Sequence, residues 1–234
     1  MNQRDYLDLP VLLGGQHRLS AMLRETRDTI MYRATQSELR REVVVELLRF
    51  SAARSPHKIR MFLDTARVQA SFQGEHLARV LEAVEVEGTW LVAREIPAGE
   101  PLDMMLAAGK TLPAIEICRL MIILCKLCLR LEAEKVASGR FHLEDAFYHE
   151  HDFRLSHPAC VGTRSASASR IYLTDAAREL QPLVATDSYM AGAMLRVLQR
   201  ISCQRNNSLL QPALYLAELS RLFTLMLEIK PVQA

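Results

Sequence analysis

The chain has 234 residues, 50% of them hydrophobic and 24% charged, which is a globular and not a disordered composition. That length suits one large domain or two small lobes. A net charge of +2 provides no basic footprint for nucleic acid or an anionic membrane surface.

Residues 1–20 read as a lead-in segment, with Asp5 early, no apolar run behind it to suggest a secretory leader, and a turn at Gly14-Gly15. Strands are expected over 31–34 and 42–48, where Val43-Val44-Val45-Glu46-Leu47-Leu48 is apolar nearly throughout. Pro56 opens a helical pattern over 59–72 with Phe62, Ala66 and Ala70 on one face. Two further strands, 78–86 and 90–94, flank Glu87-Gly88, a hairpin turn dipeptide. Pro97-Ala98-Gly99-Glu100-Pro101 reads as a linker.

Beyond it the pattern becomes helical. A short helix covers 102–108. A long one covers 113–136, with Pro at its start, where the missing N–H donor costs nothing. Its apolar stretch, 115–131, is interrupted by Arg119, Lys126 and Arg130, as in a buried helix and unlike a membrane span. Residues 140–155 look short-stranded, 162–170 a Ser-rich mobile loop, 175–179 a short helix, and 186–201 and 212–229 strong helices. The class is α+β in three parts: the lead-in 1–20, a β-rich lobe over 21–96, and a helical lobe over 97–234.

This order of elements resembles the bilobal protein kinase fold of the bacterial Ser/Thr type. The stretch 23–34, ending Tyr32-Arg33-Ala34, is similar to the strand-loop-strand that covers ATP. Val43-Val44-Val45-Glu46-Leu47-Leu48 resembles the strand written V-A-I-K. Residues 62–82 resemble the αC helix and following strand without a gap, and Leu91-Val92-Ala93-Arg94-Glu95 resembles the strand into the hinge. Thr186-Asp187-Ser188-Tyr189-Met190-Ala191-Gly192 is similar to the start of αF. The resemblance covers roughly 21–200 and implies a β-rich N-lobe with one αC-like helix and a shortened, mainly helical C-lobe.

The resemblance also shows what is missing. Phosphoryl transfer depends on positioning and charge neutralisation. The glycine positions of the ATP-covering loop fall on Arg24, Thr26 and Thr29, whose side chains obstruct close backbone approach. The phosphate-binding lysine falls on Glu46 and its αC glutamate partner on Thr65, so both halves of that ion pair are absent. The catalytic loop is best matched by His142-Leu143-Glu144, with Glu144 in place of the base, and the metal-binding D-F-G by His157-Pro158-Ala159. Asp187 and Gly192 are kept, and the resemblance gives them structural duties; Asp at a helix start also caps free N–H groups.

Other constellations have plainer readings. His142, His149, His151 and His157 cluster with Cys160, and His149 and His151 are the candidates for a transition-metal site; the alternative is a polar surface hairpin. Cys125 and Cys128 form C-x-x-C, but mid-helix in an apolar run they read as buried small hydrophobes, and the five cysteines as free thiols in a reducing cytoplasm. Ser165, Ser167 and Ser169 between Arg164 and Arg170 could bridge to arginine if phosphorylated, or form a solvated loop. Met104, Met105 and Met121 read as core filler.

The expectation is therefore a pseudokinase: a catalytically inactive binding, scaffold or regulatory module with no cofactor. It would engage a protein partner, possible homodimerisation included, and neither nucleic acid nor a membrane. Glu46 would face a basic or neutral ligand or pair internally with Arg24 or Arg27. The alternative is an atypical nucleotide-dependent phosphoryl or nucleotidyl transferase using repurposed acids such as Glu144 and Asp152.

Overall fold

The computed structural model describes residues 12–71, 76–133, 141–156, 168–185, 189–203 and 212–228, with the backbone alone for 168–172 and 189. The chain divides into two compact units, Met1–Pro97 and Ala98–Ala234.

The first unit contains six strands: β1 (Leu12–Leu13), β2 (His17–Glu25), β3 (Thr29–Gln36), β4 (Arg41–Leu48), β5 (Val80–Val86) and β6 (Thr89–Glu95). All pairings are antiparallel, in the order β1-β2-β3-β4-β6-β5. Side chains alternate across a strand, so Val43, Val45 and Leu47 join Leu13, Leu19, Tyr32, Ala34, Leu91 and Ala93 in one core. The opposite face carries Leu48 and Val92, which pack against Phe62 and Ala66 of α2 (Pro56–Ser71) and Ala52 of α1 (Phe50–Ala53). Each large side chain buried this way contributes about 2 kcal/mol.

The sheet curls until its ends approach. A Cβ added at Gly14 would lie 3.0 Å from Val86 Cγ1, and His17 Nε2 sits 2.8 Å from Glu82 Oε1. That spacing is a hydrogen bond when the proton is on Nε2. Gly14 and Gly15 have φ of 57° and 71°, the left-handed pair that a tight hairpin requires. Residues 12–20 therefore belong to the sheet, and only 1–11 of the expected lead-in lie outside the described residues. A two-residue strand is too short to show alternation in sequence. The Glu87-Gly88 hairpin forms as expected, with Val86 opposite Thr89.

The second unit contains α3 (Leu102–Ala107), α4 (Ala114–Ala133), α5 (Ala168–Leu180), α6 (Tyr189–Ser202) and α7 (Pro212–Glu228). A small antiparallel sheet joins β7 (Glu100–Pro101), β8 (Ala146–His149) and β9 (Asp152–Leu155). Helix α4 is central, with α5, α6 and α7 packed on it. Ile117, Leu120, Met121, Leu124, Leu127 and Leu131 are buried around most of its circumference, which is why its sequence is apolar on nearly every face. Among the described residues no helix is long and apolar enough to cross a membrane.

Three local expectations change. The segment 97–101 ends in strand β7, and Gly99, at φ 109°, lets the backbone pass against Tyr148. Residues 168–170, expected in a loop, begin α5, which runs well past 175–179 because Leu173, Ala176, Ala177 and Leu180 bury one face. Met105 and Met121 are core residues, whereas Met104 is exposed.

Candidate functional site

The turn between β2 and β3 is closed on itself. Thr26 N–H donates to Thr29 O at 2.9 Å, and Thr29 N–H donates to Thr26 Oγ1 at 2.9 Å. Asp28 N–H also reaches Thr26 Oγ1, at 3.3 Å, and the two threonine hydroxyls are 2.9 Å apart. Two cations hold the turn from outside it. Arg49 pairs with Glu25 and donates through Nε to Thr26 O, while Lys58 of α2 contacts Asp28 at 2.6 Å. The N–H groups of Thr26, Asp28 and Thr29 thus already have acceptors inside the turn. Arg24 lies on β2 opposite Met31, beside a register shift at Met22/Arg24.

Glu46 is paired internally, one of the two outcomes expected of it, but the partner the structure gives is Arg94 of β6, a residue outside the expected choice of Arg24 or Arg27. Arg94 of β6 donates to Glu46 Oε2 at 2.8 Å. Arg94 lies directly opposite Val44, so it reaches Glu46 diagonally across the ladder on the same face. Its Nε donates to Gln69 Oε1 at 2.8 Å, and Gln69 Nε2 donates to Ala78 O at 2.8 Å. Arg94 is 1% and Gln69 2% exposed. A polar chain therefore runs from β4 through β6 into α2. Thr65, one turn before Gln69 on α2, turns back on its own helix and donates to Met61 O at 3.0 Å.

These groups do not fit a Mg–nucleotide phosphate. An anion brought to Glu46 meets a carboxylate, and the N–H groups of Thr26, Asp28 and Thr29 are already satisfied within the turn.

In the second unit, His142 precedes a 3-10 turn, Leu143–Asp145, of which Glu144 is the middle residue. Glu144 is exposed; the buried carboxylate is its neighbour Asp145, which accepts from Ser156 Oγ at 3.2 Å. Glu179 of α5 anchors the turn by accepting from Leu143 N–H at 3.0 Å, with His142 Nδ1 at 4.0 Å. Burial pushes the Glu179 carboxyl above its ordinary range, opposed by that N–H and by His142. Asp145 and Glu179 were missed in sequence because nothing local marks a carboxylate as buried.

His149 and His151 do not converge on a ligand position. They flank Glu150 in the β8–β9 turn, where Glu150 and His151 have φ of 46° and 65°. His149 Nε2 faces Glu150 at 3.8 Å. His151 Nδ1 lies 3.1 Å from Glu116 and 3.2 Å from Tyr148 Oη, and Arg119 donates to the His151 carbonyl. Arg119 also pairs with the buried Glu116 at 2.9 Å, so the hairpin tip is docked on the first turns of α4. Among the described residues no group of three or more His, Cys, Asp or Glu side chains could hold a metal ion.

His157, Asp187, Ser165 and Ser167 lie outside the described residues, as does the side chain of Ser169. Gly192 lies on α6, where an added Cβ would meet only Arg196 Nη1, at an ordinary 3.6 Å. Cys118, Cys125 and Cys128 are buried on α4, and Cys118 donates through Sγ to Leu219 O at 3.3 Å. Burial pushes the Cys118 and Cys125 thiols up to about 12.

No protein-family model matches the chain, and no curated protein matches it. Its fold is similar to crystal structures of the PknI kinase domain of Mycobacterium tuberculosis. A cysteine-to-alanine mutant of that domain is 14% identical with a TM-score of 0.65, over 92% of this chain and 98% of that one. A second structure of the domain is 14% identical with a TM-score of 0.63, over 92% and 99%. A double mutant is 13% identical with a TM-score of 0.65, over 93% and 99%. The fold is therefore protein-kinase-like, an α+β chain with a curled sheet in its first unit and a helical second unit.

Proposed function

We propose that this chain, with its protein-kinase-like fold, is a catalytically inactive module that works by binding a protein partner. The observation that carries this reading is the Glu46–Arg94–Gln69 chain. A kinase uses a strand lysine to hold nucleotide phosphates and a helix glutamate to position that lysine. Here the strand position is anionic and its charge is satisfied by a buried arginine, while Thr65 bonds to its own helix. Strand and helix remain tied to each other, so the tie serves folding without leaving a cation for phosphate. The self-closed turn at 26–29 supports the same reading, since a nucleotide would have to break its internal bonds to reach backbone donors.

The test is thermal unfolding with millimolar ATP in Mg²⁺ and in EDTA. A ligand at about 100 times its Kd adds about 2.7 kcal/mol, a shift of several degrees. No shift in either condition is expected. A Mg²⁺-dependent shift would overturn the proposal and bring forward the atypical transferase, with Glu144 and Asp152 as the first acids to substitute.

A further inference from the structure

We propose that the groove between α6 and α7 is a docking site for an acidic amphipathic helix of a protein partner. This goes beyond the loss of catalysis, because the groove lies within the helical unit and uses none of the residues discussed above for nucleotide binding. The groove encloses about 480 Å³. Its apolar lining is Ala193 and Val197 from α6 with Leu222 and Leu225 from α7. These are an i, i+4 pair and an i, i+3 pair, so each helix offers one ridge of side chains and the space between them runs along the helices. Leu225 is 45% exposed, an apolar side chain left in solvent beside that space.

The charge of the groove selects the occupant. Arg196, Arg200 and Arg221 line it against a single acid, Glu218, which is paired with Arg200. Among the described residues neither Arg196 nor Arg221 has an ion-pair partner. A second copy of this chain is disfavoured, because a two-fold interface sets the same patch against itself and would oppose arginine to arginine. An extended polyanion would satisfy the arginines but leave the leucines wet. A helix with apolar residues at i, i+3, i+4 and i+7 and acids along its flanks satisfies both.

The test uses the full chain and three fluorescein-labelled helical peptides of about five turns. One carries Leu on one face and Glu on the flanks; one replaces Glu with Lys; one replaces Leu with Ser. The first should bind, and the double variant Arg196→Glu/Arg221→Glu should weaken it at least ~10-fold with an unchanged melting temperature, as both side chains are exposed. Leu225→Ser should weaken it as well, through the apolar floor. The proposal is overturned if the first peptide fails to bind at about 1 mM, if the Lys or Ser peptide binds equally well, or if charge reversal changes nothing. It is likewise overturned if the chain self-associates and the double variant abolishes that. The nucleotide experiment involves none of the groove's residues, so either proposal can fail alone.

Discussion

Arg94 of β6 and Glu46 of β4 form an ion pair at 2.8 Å in which the arginine is almost wholly buried and the glutamate partly so. The same guanidinium holds Gln69 of α2, so one cation bridges two strands and a helix. The usual kinase arrangement has a strand cation and a helix anion. This chain has a strand anion, a cation on the neighbouring strand and a neutral amide on the helix. The tie between strand and helix is thus made through a cation on the neighbouring strand.

Breaking this pair should cost more than removing it. Glu46→Ala leaves a buried guanidinium without its anion, and about 3 kcal/mol of stability should be lost in urea unfolding. Glu46→Lys should cost at least as much by setting two cations together, and should produce no thermal shift with Mg-ATP. Glu46→Leu combined with Arg94→Met replaces both charges by apolar volume and should fall within about 1–2 kcal/mol of the parent. Equal losses from the single and paired substitutions would show that the pair is not what holds this face.

The Thr26 side chain should behave as a structural lock. Thr26→Ala removes the acceptor for Asp28 and Thr29 N–H and should cost about 1 kcal/mol. Hydrogen exchange of those two amides should quicken, while amides in β4 and β6 keep their protection. Unchanged exchange at Asp28 and Thr29 would mean the turn is held by Arg49 and Lys58 alone.

Two glycines of the helical unit should respond in opposite directions. At Gly99, a Cβ would lie 2.7 Å from the Tyr148 carbonyl carbon, and φ of 109° is closed to ordinary L residues. Gly99→Ala should cost more than about 2 kcal/mol, read from the urea midpoint. Gly192 is helical with room for a methyl group, so Gly192→Ala should be neutral or stabilise by up to about 1 kcal/mol.

The buried thiols link stability to alkaline pH. Cys118 and Cys125 titrate near 12 in the folded chain against an ordinary 9.0, with burial as the leading cause for both. Folding therefore favours the neutral thiol. That contribution is complete below about pH 9 and is lost as pH rises from there through about 12. Unfolding midpoints should fall across this window, and Cys118→Ala/Cys125→Ala should flatten the fall. At pH 8 the exposed Cys203 should alkylate in the native state, whereas Cys118, Cys125 and Cys128 should require denaturant.

Much of this was legible in the residues. The β-branched run at 43–48, the Glu87-Gly88 turn and the apolar helix around 114–133 are local patterns, and local periodicity reports which faces need burial. The absence of glycines at Arg24, Thr26 and Thr29 and of lysine at Glu46 is also a matter of identity, readable without coordinates. Sequence therefore determined the α+β class and the order of the main elements.

Tertiary structure alone decided where the remaining polar groups go. Glu46 and Arg94 are 48 residues apart, His151 and Glu116 35, and Cys118 and Leu219 101. Such pairs depend on strand register and helix placement, which no short window encodes. The two residues of β1 carry no period, and its place is seen only in its pairing with β2, Leu12 opposite Arg18 and Leu13 opposite His17. The same applies to Asp145, buried where its neighbour Glu144 is exposed, since a carboxylate's environment is set by what packs over it and not by its position in the chain.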